Sequence, residues 1–178
     1  NLAANLFLGR AYLEGTLIVA DHEKAFQIFR DGELMNCNES RHRLAECYLR
    51  GQGVAADVHQ AIELLKLNTT GGHPYSPCVL GALYIEGTQV PQNLKMGLQY
   101  LKISAYRRCA SAAAQVAQCL FYHPYLATIG YERQAYAYIA HKQDDSSQLE
   151  QLSGLMPEEL TELMKSVELI KSTNPSSF

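Results

Sequence analysis

A chain of 178 residues, 47% of them hydrophobic, can bury one ordinary domain's worth of core. Its formal charge is -3 and its pI about 6.1, with Lys and Arg scattered and no basic run beyond Arg107-Arg108. Phosphate recognition needs a concentrated positive surface, so nucleic acid is not an expected partner. No apolar run approaches the roughly 20 residues that a bilayer-spanning helix needs, so no membrane span is expected.

Taken from its start, the chain opens with Asn1 and the apolar residues Leu2, Leu6, Phe7 and Leu8. Terminal repeats of an array normally present a polar capping face, so more sequence is expected before Asn1. A signal segment could have been trimmed, which leaves the compartment open between periplasmic, secreted and cytoplasmic.

The sequence then returns on itself every 36 positions. Leu8, Leu44 and Leu80 share a column, followed by Val116; Tyr12, Tyr48 and Tyr84 share another, followed by Leu120. Gly15, Gly51 and Gly87 make a third, and Asp21, Asp57 and Asn93 a fourth. A fixed period of this size indicates stacked units, each burying an apolar face on its neighbours.

Each unit reads as two helices. In the first, Ser40, Leu44, Ala45, Cys47 and Tyr48 fall on one face of a 3.6-residue helix. Gly51 and Gly53 end it, and Asp57 is placed to accept hydrogen bonds at the start of the second. That second helix carries Ala61, Ile62, Leu64 and Leu65. Small residues in the Gly9/Ala45 and Ala25/Ala61 columns let paired helices approach closely.

The fourth unit departs from this pattern. It has Leu120 in the Tyr column, His123-Pro124 where Gly should stand, and a second helix headed by Ala135, two residues late. Beyond the polar break of 144–147, Pro157 followed by Glu158 and Glu159 predicts a last helix with Leu160, Leu163, Met164, Val167 and Ile170 on one face. That helix is expected to cap the final repeat, the alternative being a detachable partner-binding helix, and Ser172 to Phe178 reads as a frayed tail.

The column set L-G-x-x-Y-x-x-G-x-G-V-x-x-D-x-x-x-A, most complete over Leu44 to Ala61, resembles the Sel-1-like repeat family, a relative of the 34-residue tetratricopeptide repeats. The resemblance covers about residues 1–142. It departs at Leu17, Gln89 and Asn93 and through most of the fourth loop. It implies an all-α fold: a right-handed α/α superhelix, or solenoid, of four helix-pair repeats over 1–143. Residues 144–178 would then form a linker, a C-terminal capping helix and a tail. It also implies a non-catalytic adaptor that binds another protein or peptide and needs no cofactor. Two alternatives remain: a structural subunit of a bacterial envelope or secretion assembly, and a β-lactamase-like or peptidoglycan-related hydrolase such as has been assigned to some cysteine-rich relatives.

By analogy with tetratricopeptide stacking, the first helices line a concave surface. The candidate partner-binding residues on it are Arg10, Glu14, His42, Glu46, Arg50, Tyr75, Cys78, Glu86, Gln118 and Tyr122. A peptide there would touch Tyr75 and Tyr122 and be steered by Arg10, Arg50 and Glu86. The bland alternative is that these columns simply pack between repeats.

Of the five cysteines, Cys47 and Cys119 sit in a packing column and read as buried hydrophobes. Cys37 and Cys109 lie at the turn entering a first helix. A Cys37–Cys47 bridge is not expected, since ten helical residues span about 15 Å and a disulfide needs Cα atoms within about 7 Å. The close intra-repeat spacing by which cysteine-rich relatives bridge each helix pair is missing, and the odd, unmatched set argues for reduced thiols, or for at least one free thiol if the chain is exported. His42, His73 and Cys78 lack the closely spaced ligand couple of a zinc site, and no third residue can be placed to complete a Cys-His nucleophile. No metal or catalytic residue is assigned.

Overall fold

The computed structural model describes residues 2–15, 18–128, 132, 133, 136 and 165. Among these residues seven α-helices follow one another: α1 Leu2–Glu14, α2 His22–Leu34, α3 Asn38–Arg50, α4 Val58–Thr70, α5 Ser76–Glu86, α6 Leu94–Tyr106 and α7 Ala110–Tyr122. A 3₁₀ turn, Pro124–Leu126, comes after α7, and no strand occurs among the described residues. The chain divides into two compact units, Asn1–Ser76 and Pro77–Phe178.

The loop inside each repeat is built the same way three times. Gly15, Gly51 and Gly87 all take φ of +67°, a left-handed conformation that a side chain would strain. The backbone then folds back so that Asp21, Asp57 and Asn93 donate their N–H to the carbonyls of Tyr12, Tyr48 and Tyr84, at 2.9, 3.0 and 2.8 Å. The side chains of those residues cap the second helices, accepting the N–H of Lys24, Gln60 and Met96, each at 3.0 Å. Asn93 replaces Asp without loss because both present the same Oδ1 acceptor.

Packing follows the columns. In the first unit, Ala25, Phe26, Phe29, Leu44 and Cys47 are buried together, with Tyr48 edge-on to Phe26 at 5.5 Å. In the second, Leu98, Leu101, Ala112, Val116 and Leu120 form the core with Tyr136, and Tyr84 stacks on Tyr100 at 6.0 Å. A Cβ on Gly81 would lie 2.6 Å from Leu101 Cγ, which shows why that column stays small. Leu8 and Phe7, on the first helix of the chain, are 41% and 63% exposed.

The fourth repeat keeps its first helix and loses the loop. His123 ends α7 with φ of -131°, outside the left-handed region, and the chain turns through Pro124–Leu126 instead. Of the second helix expected from Ala135, Tyr136 is described, buried in the core of its unit. Beside it Glu132 is also buried; it accepts the Thr128 N–H at 2.7 Å and pairs with Lys102 at 2.6 Å. The expected C-terminal capping helix lies outside the described residues, apart from Lys165.

Gly53 gives a sharper test of the loop than Gly51. Both have positive φ, but a Cβ on Gly51 would meet Ala56 Cβ at an ordinary 3.6 Å, whereas on Gly53 it would overlap the His22 carbonyl and lie 2.9 Å from the Glu23 nitrogen. Gly51→Ala should therefore cost about 1 kcal/mol, the strain of a left-handed alanine, and Gly53→Ala distinctly more. Urea unfolding of the two variants beside the parent would reveal equal midpoints if the contact with α2 were unimportant.

Candidate functional site

Eight of the ten residues expected at a partner surface are at least partly open. Arg10 and Glu14 are exposed and pair with each other at 3.5 Å; Arg50, Glu86 and Gln118 are exposed; Glu46 is half-buried and holds Arg43 at 3.0 Å. Tyr75 is 54% exposed, with its ring edge against His73, and Tyr122 is 66% exposed, edge-on to Phe121. His42 and Cys78 correct the expectation: both are buried. The reason is the small column at the start of each first helix, which draws the side chain at this position inward; His42 Nδ1 reaches Ser76 Oγ at 3.1 Å.

Around His42 the first unit holds a continuous polar network. Ser76 Oγ lies 2.9 Å from His73 Nδ1, and the Ser76 N–H donates to the same nitrogen at 3.2 Å. An Nδ1 that accepts leaves the proton on Nε2, which donates to Glu39 Oε2 at 3.2 Å. The two imidazoles lie 4.8 Å apart. Asn68 Nδ2 donates to Ser76 Oγ at 3.2 Å and to the Asn38 carbonyl at 2.7 Å. The buried Arg41 guanidinium donates to Asn68, Asn38 and Glu33 at 3.1 to 3.3 Å, so its charge is paired rather than stranded.

Ser76, His73 and Glu39 follow the order of a hydrolase triad, but the chemistry does not. Ser76 has no exposed surface, and its Oγ is surrounded by Asn68, His42 and His73, so no carbonyl can reach it. This network is a structural clasp. Burial holds His42 neutral, lowering its pKa from 6.5 to about 4 against the pull of Glu46 and Glu39, with His73 and Arg43 adding repulsion. The hydrogen bond from His73 takes the Glu39 carboxyl down to about 2, helped by Arg43. Among the described residues no group of three or more His, Cys, Asp or Glu is arranged to hold a metal, and no helix is long and apolar enough to cross a membrane.

A model of the Sel1 repeat matches the chain three times, over residues 2–30, 38–67 and 78–108, which together make up half of it. The chain belongs to the Sel1 repeat family. Sel1 repeat proteins generally mediate protein–protein interaction and are generally non-catalytic scaffolds. A crystal structure of a Sel1 repeat protein from Oxalobacter formigenes shares 18% identity at a TM-score of 0.72, over 95% of this chain and 73% of that one. The crystal structure of c5321, a protective antigen present in uropathogenic Escherichia coli strains and displaying an SLR fold, shares 22% identity at a TM-score of 0.70. That match covers 95% of this chain but 38% of c5321, so this chain spans well under half of that protein. No curated protein matches it in sequence. The all-α repeat fold of this chain is therefore that of known Sel1 repeats.

Sequence reasoning about this Sel1 repeat chain missed Ser76, Asn68 and Arg41. The signal that could have found them is a second small column, Gly32, Asn68 and Ser104, whose carbonyls accept the N–H of Cys37, His73 and Cys109 at 3.0 to 3.1 Å. A Cβ on Gly32 would overlap Ser40 Oγ, and Asn68 bonds Ser76 at the equivalent place.

The sign of the pH dependence follows from His42. Its folded pKa lies below its unfolded one, so the unfolded chain binds the extra proton and stability is lost as pH falls from 6.5 towards 4. The depressed Glu39 pKa continues the loss below 4.5. Urea unfolding across this range should show a drop on the order of 3 kcal/mol by the acid end of the His42 window, and His42→Gln should flatten that window while leaving the steeper loss below it. An unchanged slope in the variant would mean that another group carries the titration.

Proposed function

We propose that this Sel1 repeat protein is a non-catalytic adaptor that binds another protein or peptide through the exposed positions of its first helices. One observation carries this reading: Tyr122, with Phe121 and Tyr125 beside it, is left 60% to 73% exposed at the end of α7 and the turn that follows. Large aromatic side chains kept in water supply contact area with few rotors to immobilise, as docking surfaces require. The first unit offers Tyr75 in the same way, with the charged pair Arg10 and Glu14, then Arg50 and Glu46, on its first helices. Glu86 and Gln118 add polar groups in the second unit. The enclosure of Ser76 supports the non-catalytic part of this reading.

The test uses the full chain as immobilised bait against lysate of the source organism, beside Tyr75→Ala and Tyr122→Ala. The expected outcome is a specific protein retained by the parent and lost, by tenfold or more in recovery, with at least one variant whose helicity is unchanged. Equal recovery by all three chains would remove the two tyrosines from the binding surface.

A further inference from the structure

The inner N-terminus of each first helix has a recurring design. Cys37 Sγ accepts the Ser40 N–H at 3.5 Å, and His73 Nδ1 accepts the Ser76 N–H at 3.2 Å. Cys109, in the same column, is the N-cap of α7, and its sulfur turns instead to the Ser111 hydroxyl. In the first unit this capping side chain faces the residue 31 positions before it, as His73 faces His42 with rings 4.8 Å apart. In the second unit the corresponding pair, at the same separation, is Cys109 and Cys78.

Side-chain contacts agree with that correspondence. Cys109 Sγ lies 3.2 Å from Ser111 Oγ and Cys78 Sγ 3.9 Å from the same oxygen. Gln115 Nε2 donates to Cys78 Sγ at 3.5 Å. Both cysteines belong to one buried cluster and neither is in a disulfide.

We propose that Cys78 and Cys109 are a redox pair that closes to an intramolecular disulfide on exposure to hydrogen peroxide, joining α5 to α7 across consecutive repeats. The two sulfurs differ in role. Hydrogen bonding from Cys78 and from Ser111 favours the thiolate at Cys109, taking it down to about 5, while the Cys78 thiol that faces it is pushed up. Cys109, at the N-terminus of α7 and 3.2 Å from Ser111 Oγ, takes the attacking role, and Cys78, within α5, the resolving one.

In the first step the Cys109 thiolate attacks one peroxide oxygen and the O–O bond breaks. The hydroxide that leaves combines with the proton Cys109 gave up on ionising, and Cys109 becomes a sulfenic acid. Cys78 then loses its proton and attacks the Cys109 sulfur; the S–O bond breaks and hydroxide leaves with that proton as a second water. Two thiols are oxidised by two electrons, and one peroxide is reduced to two waters. Cys109 is 3% exposed as a residue, an opening that suits a small oxidant such as peroxide better than a bulky disulfide reagent. A thiol reductant reverses the change.

The test treats the reduced full chain with peroxide, alkylates the remaining thiols under denaturing conditions and maps the peptides by mass spectrometry. A Cys78–Cys109 cross-link reversed by dithiothreitol, with Cys37, Cys47 and Cys119 still alkylated and the melting temperature raised, is expected. Cys78→Ser should stop at a Cys109 sulfenic acid that dimedone traps, and Cys109→Ser should leave Cys78 unoxidised. Cross-links through Cys37, a Cys109 that goes straight to sulfinic acid in the parent, or dimedone labelling that is equal in the two variants would each overturn the proposal.

Discussion

The structure depends on one backbone hydrogen bond made three times. When Asp21, Asp57 or Asn93 gives its N–H to the carbonyl of Tyr12, Tyr48 or Tyr84, the chain has reversed direction and the next helix starts beside the last. Nothing else in the loop needs to be strong. The left-handed glycine supplies the bend, the bond sets where it ends, and the freed carboxylate or amide caps the helix that follows. A net hydrogen bond contributes only about 1 kcal/mol, so its importance is geometric: it brings the apolar columns of the two helices into contact, where burial of residues such as Phe29 and Leu101 contributes about 2 to 3 kcal/mol each.

The fourth repeat shows what happens without it. His123 has no left-handed turn to offer, the chain leaves α7 through Pro124–Leu126, and Glu132 ties the new path by binding Thr128 and Lys102. The core beneath is hardly altered, since Val116, Cys119 and Leu120 remain buried. Core columns and loop columns therefore vary independently, and the fold of each helix survives a change in its connection.

That separation explains what could be read from the sequence. The Gly15/Gly51/Gly87 and Asp21/Asp57/Asn93 columns were legible because only a few residue types suit a left-handed φ or an exposed cap. The second turn of each repeat also has a left-handed residue, at Asn36, Gly72 and Arg108, but only one of the three is glycine and the column is silent. The exposure of the proposed surface was half legible for a related reason. Position alone put His42 and Cys78 with Arg50 and Tyr75, while burial depended on which atoms stood one repeat further on, such as Ser76.

The two kinds of helix start explain where reactive side chains accumulate. Asp21, Asp57 and Asn93 cap helices at the edge, where water reduces the cost of a charged or strongly polar acceptor. At the other helix starts Cys37 is half-buried, and His73 and Cys109 are sunk between helices at 7% and 3% exposed. A carboxylate there would lose its hydration for a single N–H, a cost of several kcal/mol. Imidazole and thiol resolve the conflict, since each can accept one hydrogen bond while presenting an otherwise weakly polar surface to the core. Groups chosen for that balance are also those whose protonation or oxidation is easily shifted. The first unit uses the balance for a histidine pair, His42 and His73, closed by Ser76; the second has sulfur in both places and so gains a chemistry that the helices themselves do not require.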